Sequence, residues 1–384
     1  MKLACFCCLT VIAVHPVAAE IRPAPSIAAI TNVIEEAIQR NEVSGAVTAV
    51  YHDTELKHRS AAGLANLATK RPMTTQTRFA IASMTKPIVA TGLMILVDEE
   101  KVSLNDPISK YIPQFEDVKL KDGSAPLRAI TILDAVTHTS GMQGEQTFDG
   151  TLTDAVLELA SRPLAFNPGE RWQYSPGITV IGRIIEIVSQ QSLEQFLQER
   201  IFEPLTMDET SFQLEPDELA QLATIYQPGD VDGTLQRDDN WIVDPTDVRG
   251  PNPSGGLFST VDDLLCFYRM MLNQGVSDQG DRIVSRASYQ AMTSPAIGSL
   301  ESGFTPGNTW GLGWCLVREP QDATAMLSEG TFGHGGAFGT QGWIDPQTRT
   351  IFVLLIQRTK FGNSDASDLR RDFQAAAVNA LSKP

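Results

Sequence analysis

The chain is poor in cysteine and in positive charge, and it has no long apolar run beyond its first residues. Of its 5 cysteines, Cys5, Cys7 and Cys8 stand at the very start, leaving only Cys266 and Cys315 for the rest. Two cysteines cannot build a disulfide framework. Two buried free thiols are expected, with a single bridge as the alternative. Lysine and arginine total 30 against 46 aspartates and glutamates, a formal net charge of -16. A surface of that sign repels phosphate backbones, so no nucleic-acid partner is expected. No internal stretch reaches the roughly 20 apolar residues that span a bilayer. Several chemical signatures are missing too. There is no H-E-x-x-H, no cysteine pair at metal spacing, no Walker loop and no G-x-G-x-x-G with its strand, so neither metal nor cofactor is expected. Nor is there a G-x-S-x-G elbow, which argues against an α/β-hydrolase.

What is present begins with "MKLACFCCLTVIAVHPVAAE". Lys2 precedes an apolar run from Leu3 to Val14, and small residues follow to Val17-Ala18-Ala19. This is the pattern of a secretory signal peptide over residues 1–19, cut after Ala19, with an uncleaved anchor as the alternative. Glu20 follows, so no lipid-attachment cysteine stands at the cut. The expected product is a periplasmic or secreted domain, 20–384, with no stable membrane insertion. Its composition, 42% hydrophobic across 384 residues, is ample for a substantial core. The oligomeric state is not legible.

Periodicity divides the chain. "SIAAITNVIEEAIQR" spaces Ile27, Ile30, Ile34 and Ile38 as an amphipathic helix. "SGAVTAVYHD" and "LKHRSAAG" read as paired strands around a turn at Asp53-Thr54. "KPIVATGLMILVDEEK" is apolar nearly all round, so it predicts a buried helix. "AITILDAVTHTSG" predicts a short helix stopped by Gly141, and "TLTDAVLELASR" and "GITVIGRIIEIVSQQSLEQFLQERIFEPL" predict further helices. Residues from about 213 to 256 read as long loops. "TVDDLLCFYRMMLNQG" is a helix capped at Ser259 or Thr260 and stopped by Gly275. "WGLGWCLV", "AFGTQGWIDP" and "RTIFVLLIQR" read as strands, and "SDASDLRRDFQAAAVNALSK" as a closing helix. Strands at both ends can share one antiparallel sheet flanked by the terminal helices. This is an α+β fold, with an α/β lobe from about 20–80 and 305–384. An all-helical lobe of about 81–304 is inserted between them. Clefts between lobes favour binding sites.

Ser83 and Lys86 stand one helical turn apart in "RFAIASMTKPIVATG". Residues at i and i+3 share a helix face. A serine hydroxyl is a poor nucleophile until a neighbour takes its proton, and burial lowers a lysine pKa enough to allow that. A helix N-terminus adds N–H donors and a positive dipole end. Pro87 is tolerated in a first turn, so it supports a helix beginning close to Ser83. The plain alternative is a serine cap followed by a solvated lysine. Two more features favour chemistry. "ERWQYSPG" places Tyr174 just before a helix, and "TFGHGGAFGTQGW" places His334-Gly335-Gly336 at the head of a late strand. Glycines there let a backbone approach a ligand closely.

In order and spacing, Ser83-Met84-Thr85-Lys86, Tyr174-Ser175-Pro176 and His334-Gly335-Gly336 resemble the three motifs of the serine β-lactamase and penicillin-binding superfamily. More narrowly they resemble its class C branch, with its D-alanyl-D-alanine carboxypeptidases and family VIII esterases. "ILDAVTHTSGM", "PSGGLFSTVDDLLCFYRMML" and "WGLGW" resemble lesser signatures of that branch. The resemblance implies a β-lactamase/transpeptidase-like fold and a serine hydrolase working through an acyl-serine intermediate. By that resemblance Ser83 attacks a carbonyl, Lys86 holds Ser83 and tunes the proton network, and Tyr174 relays the proton. Because a phenol near pKa 10 is a poor base, the Lys86 ammonium is expected to depress the Tyr174 pKa. The N–H groups of Ser83 and Ala337 would form the oxyanion hole, with His334, Gly335 and Gly336 beside the substrate.

Two departures bear on the substrate. Pro176 replaces the asparagine that usually ends the second motif, and it offers no side-chain donor or acceptor. His334 stands where strong β-lactamases often have lysine, and imidazole is mostly neutral at pH 7. Both argue against efficient β-lactam hydrolysis and leave a small-molecule ester or acyl substrate untouched. A β-lactamase or D-alanyl-D-alanine carboxypeptidase remains the enzymatic alternative, and a non-catalytic cell-wall or peptide binder the alternative of another class. His52 and His58 read as surface residues, His138 as a turn brace, and Glu35-Glu36 and Glu99-Glu100 as solvated helix faces. Trp310, Trp314 and Trp343 suit a cleft wall or a packed core equally.

Overall fold

The last strand shows where the sheet sits. Its sequence, TIFVLL, is apolar without alternation, as a strand covered on both faces must be. Ile351, Val353 and Leu355 join one core, and Phe352 and Leu354 the other. The computed structural model describes residues 25–144, 148, 150–231, 233–239, 250–303 and 305–382. The expected signal segment, 1–19, lies outside them. In chain order the elements are α1 (Pro25–Gln39), β1 (Gly45–His52), β2 (Glu55–Asn66), β3 (Arg71–Pro72), β4 (Phe79–Ala80), α2 (Thr85–Asp98), α3 (Ile132–Val136), α4 (Leu152–Ser161), α5 (Gly177–Ser189), α6 (Leu193–Leu197), α7 (Glu203–Leu205), α8 (Pro216–Leu219), β5 (Tyr226–Pro228), β6 (Leu235–Arg237), β7 (Phe258–Ser259), α9 (Val261–Leu272), α10 (Arg286–Met292), β8 (Asn308–Trp310), β9 (Cys315–Val317), β10 (Phe332–Gly335), β11 (Gln341–Asp345), β12 (Thr350–Leu355) and α11 (Asp368–Leu381).

Eight strands form one sheet in the order β3-β2-β1-β12-β11-β10-β9-β8. Every pairing is antiparallel. β1 lies against β12, with Val47 opposite Leu355, so both ends of the chain close a single α+β sheet, as their patterning predicts. Ile30, Ile34 and Ala37 of α1 pack with Leu369, Phe373 and Ala377 of α11 over one face. The other face meets α9 and, beyond it, α2 and α5 in the larger core. α2 is buried from Thr85 through Leu96, because its sequence offers no polar stripe to solvent. Lys86 is the one charged residue in that buried run.

The structure corrects several expectations. The middle of the chain is not all helical, since β7 pairs with β4 and β5 with β6. "WGLGWCLV" is two strands, β8 and β9. Trp310 pairs with Cys315 across a tight turn in which Gly313 has φ +75, a conformation that glycine adopts without steric cost. The helix expected to run to Gly141 ends at Val136, and His138 already has φ 64. β10 is a strand in its own right, and His334 lies near its end rather than at the head of a strand. His58 is buried, with Nε2 2.8 Å from Thr48 Oγ1. Both described cysteines are free, but only Cys315 is fully buried. Trp310, Trp314 and Trp343 are all core residues. Glu35, Glu36, Glu99 and Glu100 are exposed, as expected.

Candidate active site

The backbone reaches Ser83 through a strained residue. Ala82 has φ 46, the left-handed region that costs a β-carbon-bearing residue about 1–3 kcal/mol. It opens a tight turn, Ala82–Met84, that leads directly into α2. The turn is held from behind. Ile81 N–H donates to Leu257 O at 3.0 Å, and Thr340 Oγ1 donates to Ile81 O at 3.2 Å. A β-carbon on Gly336 would lie 2.5 Å from Ile81 O and 2.1 Å from Thr340 Oγ1. Only glycine lets the exit of β10 press this closely against the turn before Ser83.

Lys86 follows one turn along, with no exposed surface. Its Nζ donates to Ser83 Oγ at 3.1 Å and to Ser254 O at 2.6 Å. Burial pushes its pKa down to about 7, because an ammonium loses its hydration in the core. No carboxylate opposes that shift among the described residues. The Ser254 carbonyl is set by its own loop. Ser254 N–H donates to Asn252 Oδ1 at 2.9 Å, and its hydroxyl lies 2.9 Å from Thr179 Oγ1 on α5. This carbonyl could not be read from the "PSGGLF" sequence, since backbone groups leave no residue signature.

Tyr174 enters from the loop before α5. That helix starts hard against α3, where a β-carbon on Gly177 would lie 2.1 Å from Ala135 O. The Tyr174 hydroxyl hydrogen-bonds with Ser83, and Lys86 Nζ stands 4.8 Å from the centroid of its ring. The ring is partly exposed, but burial around the phenol oxygen dominates and raises its pKa above the ordinary value. The expected depression by Lys86 therefore does not appear. Desolvation penalises the phenolate more than its neighbours favour it, and the group is held as a phenol.

The sheet side of the site presents an imidazole, with the Asp365 carboxylate packed against Gly335. His334 is 3% exposed, and its Nδ1 lies 2.6 Å from Gly335 O. A carbonyl can only accept, so Nδ1 carries the proton. Burial first, then the nearby Lys86, pushes its pKa down to about 4, and the ring is neutral. Its centroid is 6.2 Å from that of Tyr174. A β-carbon on Gly335 would collide with Asp365 Oδ1 at 1.8 Å. Ala337 is exposed, and its N–H has no hydrogen-bond partner among the described residues. Thus Ser83, Lys86 and Tyr174 touch one another. His334 borders them, and residues 335–337 continue from β10, which packs on the Ala82–Met84 turn. Three further rings, of which only Trp310 is expected from the sequence as a cleft wall, pack around Tyr174. Their centroids lie 4.5 Å (His138), 6.0 Å (Trp310) and 6.3 Å (Trp172) from it. The "VTHTSG" and "WGLGW" segments carry the sequence signal for His138 and Trp310.

A sheet with terminal helices on one face and a buried Ser-x-x-Lys pair beside a tyrosine fit a serine hydrolase. The chain belongs to the β-lactamase family, whose model matches residues 30–377. Protein Rv1367c of Mycobacterium tuberculosis is 33% identical over 368 residues, covering 87% of this chain and 90% of that protein. Esterase EstB of Burkholderia gladioli is 29% identical, covering 92% of this chain and 95% of EstB. The fold also matches the solved structure of EstCE1, described as a hydrolase with promiscuous acyltransferase activity. That match has a TM-score of 0.78 at 23% identity, over 92% of this chain and 98% of that one. No helix among the described residues is long and apolar enough to cross a membrane.

Proposed function

We propose that this protein is an exported hydrolase that cleaves uncharged carboxylic esters or small acyl compounds through an acyl-Ser83 intermediate. The observation that carries the reading is the contact between Ser83 Oγ and a fully buried Lys86 whose pKa lies at about 7. At neutral pH much of that amine is unprotonated and can act as the base. Lys86 takes the Ser83 hydroxyl proton as Oγ bonds to the substrate carbonyl carbon. The carbonyl π electrons move to oxygen, and the Ser83 and Ala337 N–H groups hold that oxyanion. When the oxyanion collapses, the bond to the leaving alcohol breaks. Tyr174, held as a phenol, gives that alcohol its proton and recovers one from the Lys86 ammonium. Water then repeats the sequence on the acyl-enzyme and releases the acid.

The neutral His334 and the side chain of Pro176 offer no cation and no amide to a substrate carboxylate or acylamide. That supports uncharged esters over β-lactams, as does the likeness to EstB. The signal-like start supports export, without stable membrane insertion, and the net charge of -16 supports a small-molecule partner rather than nucleic acid. The test is a paired assay of the protein and Ser83→Ala on a short-chain p-nitrophenyl ester and a chromogenic cephalosporin. Ester turnover that vanishes in the variant, with little cephalosporin turnover, is expected. Fast cephalosporin turnover would make the enzyme a β-lactamase instead. Activity on neither substrate would favour a carboxypeptidase or a binder, which acyl-enzyme trapping on Ser83 separates.

A further inference from the structure

We infer that His138 is a positioning residue for Tyr174, fixing the backbone on both sides of the tyrosine and so aiming its hydroxyl at Ser83. The inference rests on the reading above, in which Tyr174 carries the leaving-group proton. His138 O accepts from Gln173 N–H at 2.9 Å. His138 Nδ1 accepts from Ser175 N–H at 3.1 Å and lies 3.3 Å from Ser175 Oγ. One residue thus holds both chain neighbours of Tyr174, and its ring packs 4.5 Å from the tyrosine ring.

The backbone of His138 is shaped for this double hold. Its φ of 64 turns the chain just after α3, so that carbonyl and ring both meet residues 173–175. Trp310, at 5.2 Å between ring centroids, and Trp172, at 6.0 Å, brace the imidazole edge-on. Because Nδ1 accepts an N–H bond, the ring proton sits on Nε2, which has no partner among the described residues. The ring must stay neutral to accept. Its burial, together with the charge of Lys86, holds its pKa well below the ordinary value. Ser175 is itself buried, so its N–H has no water to turn to if Nδ1 is lost.

Three substitutions separate positioning from bulk stability. His138→Asn tolerates the left-handed backbone and places an amide oxygen near the Nδ1 position. His138→Gly keeps the backbone conformation and the carbonyl but loses the acceptor. His138→Gln puts its oxygen nearer the Nε2 position. Each is made in the natural chain and in Tyr174→Phe, with kcat and KM for the p-nitrophenyl ester and a thermal midpoint measured. His138→Gly is expected to lower kcat about tenfold to hundredfold with KM unchanged, the range for a misaimed catalytic group. His138→Asn should stay within about threefold of the natural chain, and His138→Gly should cost less than about threefold once Tyr174 is already phenylalanine. Asparagine as damaging as glycine, or an equal glycine loss in both backgrounds, overturns the inference. If His138→Gly does not fold, the Asn and Gln variants decide: equal activities overturn it, and Asn well above Gln supports it. Near-normal activity of Tyr174→Phe alone overturns the underlying role of Tyr174, and does so without touching His138.

Discussion

On one side of Ser83, α2 and the loop before α5 bring two desolvated ionisable groups, the Lys86 amine and the Tyr174 hydroxyl. On the other, the end of β10 brings glycines, exposed backbone at Ala337 and a neutral histidine. The helical side stores its effect in proton affinity. Loss of water pushes Lys86 down and Tyr174 up, so the same cause favours a neutral amine and a neutral phenol side by side. The sheet side stores its effect in shape. Its glycines bring backbone within reach of Ser83 and leave no room for a methyl group. Charge substitutions should therefore damage the first side, and volume substitutions the second.

The largest effect is expected at Lys86. Lys86→Met keeps the length and removes the amine, and ester kcat/KM should fall about 10²–10⁴-fold, the usual worth of a general base. In the natural chain the sign of the pH dependence follows from the depressed pKa. The amine is free above about 7 and protonated below it, so kcat/KM should rise through neutrality to a plateau. His334, at about 4, has finished titrating by then. A flat profile across neutrality would remove Lys86 as the base.

Gly336→Ala tests the sheet side. The new methyl group must displace Ile81 O or Thr340 Oγ1, moving the Ala337 N–H away from Ser83. Overpacking of this kind typically costs about 1–3 kcal/mol, read as a lower thermal midpoint. Ester kcat should fall by about 10²-fold, as for a lost oxyanion donor, with the pH profile unmoved. A shifted profile would show that the two sides are not independent.

The smallest effect is expected at Pro176, which caps α5. Asparagine is a favourable cap, so Pro176→Asn should fold, and it supplies the amide that usually ends the second motif. Cephalosporin turnover should rise relative to ester turnover by about threefold to tenfold, the scale of one added pocket contact. An unchanged ratio would separate Pro176 from substrate choice.

Local pattern made much of this molecule legible. The isoleucine spacing of α1, the turn at Asp53, the cap at Thr260 and the stripe-free α2 all depend on neighbours a few positions away. Ser83 and Lys86 were legible as a pair for the same reason, since they share a turn, whereas the role of Tyr174 came only with the family resemblance. What escaped was decided at a distance. "WGLGWCLV" looked continuous because Trp310, Leu312 and Trp314 suit a strand and hide the turn made at Gly311 and Gly313. His58 looked exposed because its partner, Thr48, becomes its neighbour only when β1 and β2 pair. The rings around Tyr174 come from three separate segments.

The sequence alone determined which residue types could do chemistry here, and that a serine and a lysine would stand on one helical face. It also determined that both halves of the chain near its ends would supply strands able to share a sheet. Only the tertiary structure decided which group holds the proton. Lys86 is desolvated by segments far along the chain, and the carbonyl it donates to, on Ser254, lies 168 positions away. Tyr174 was expected to be lowered by that lysine and is instead raised by burial. The reason is physical: proton affinity depends on how much water the folded surroundings exclude, and exclusion belongs to the packed whole rather than to any stretch of chain.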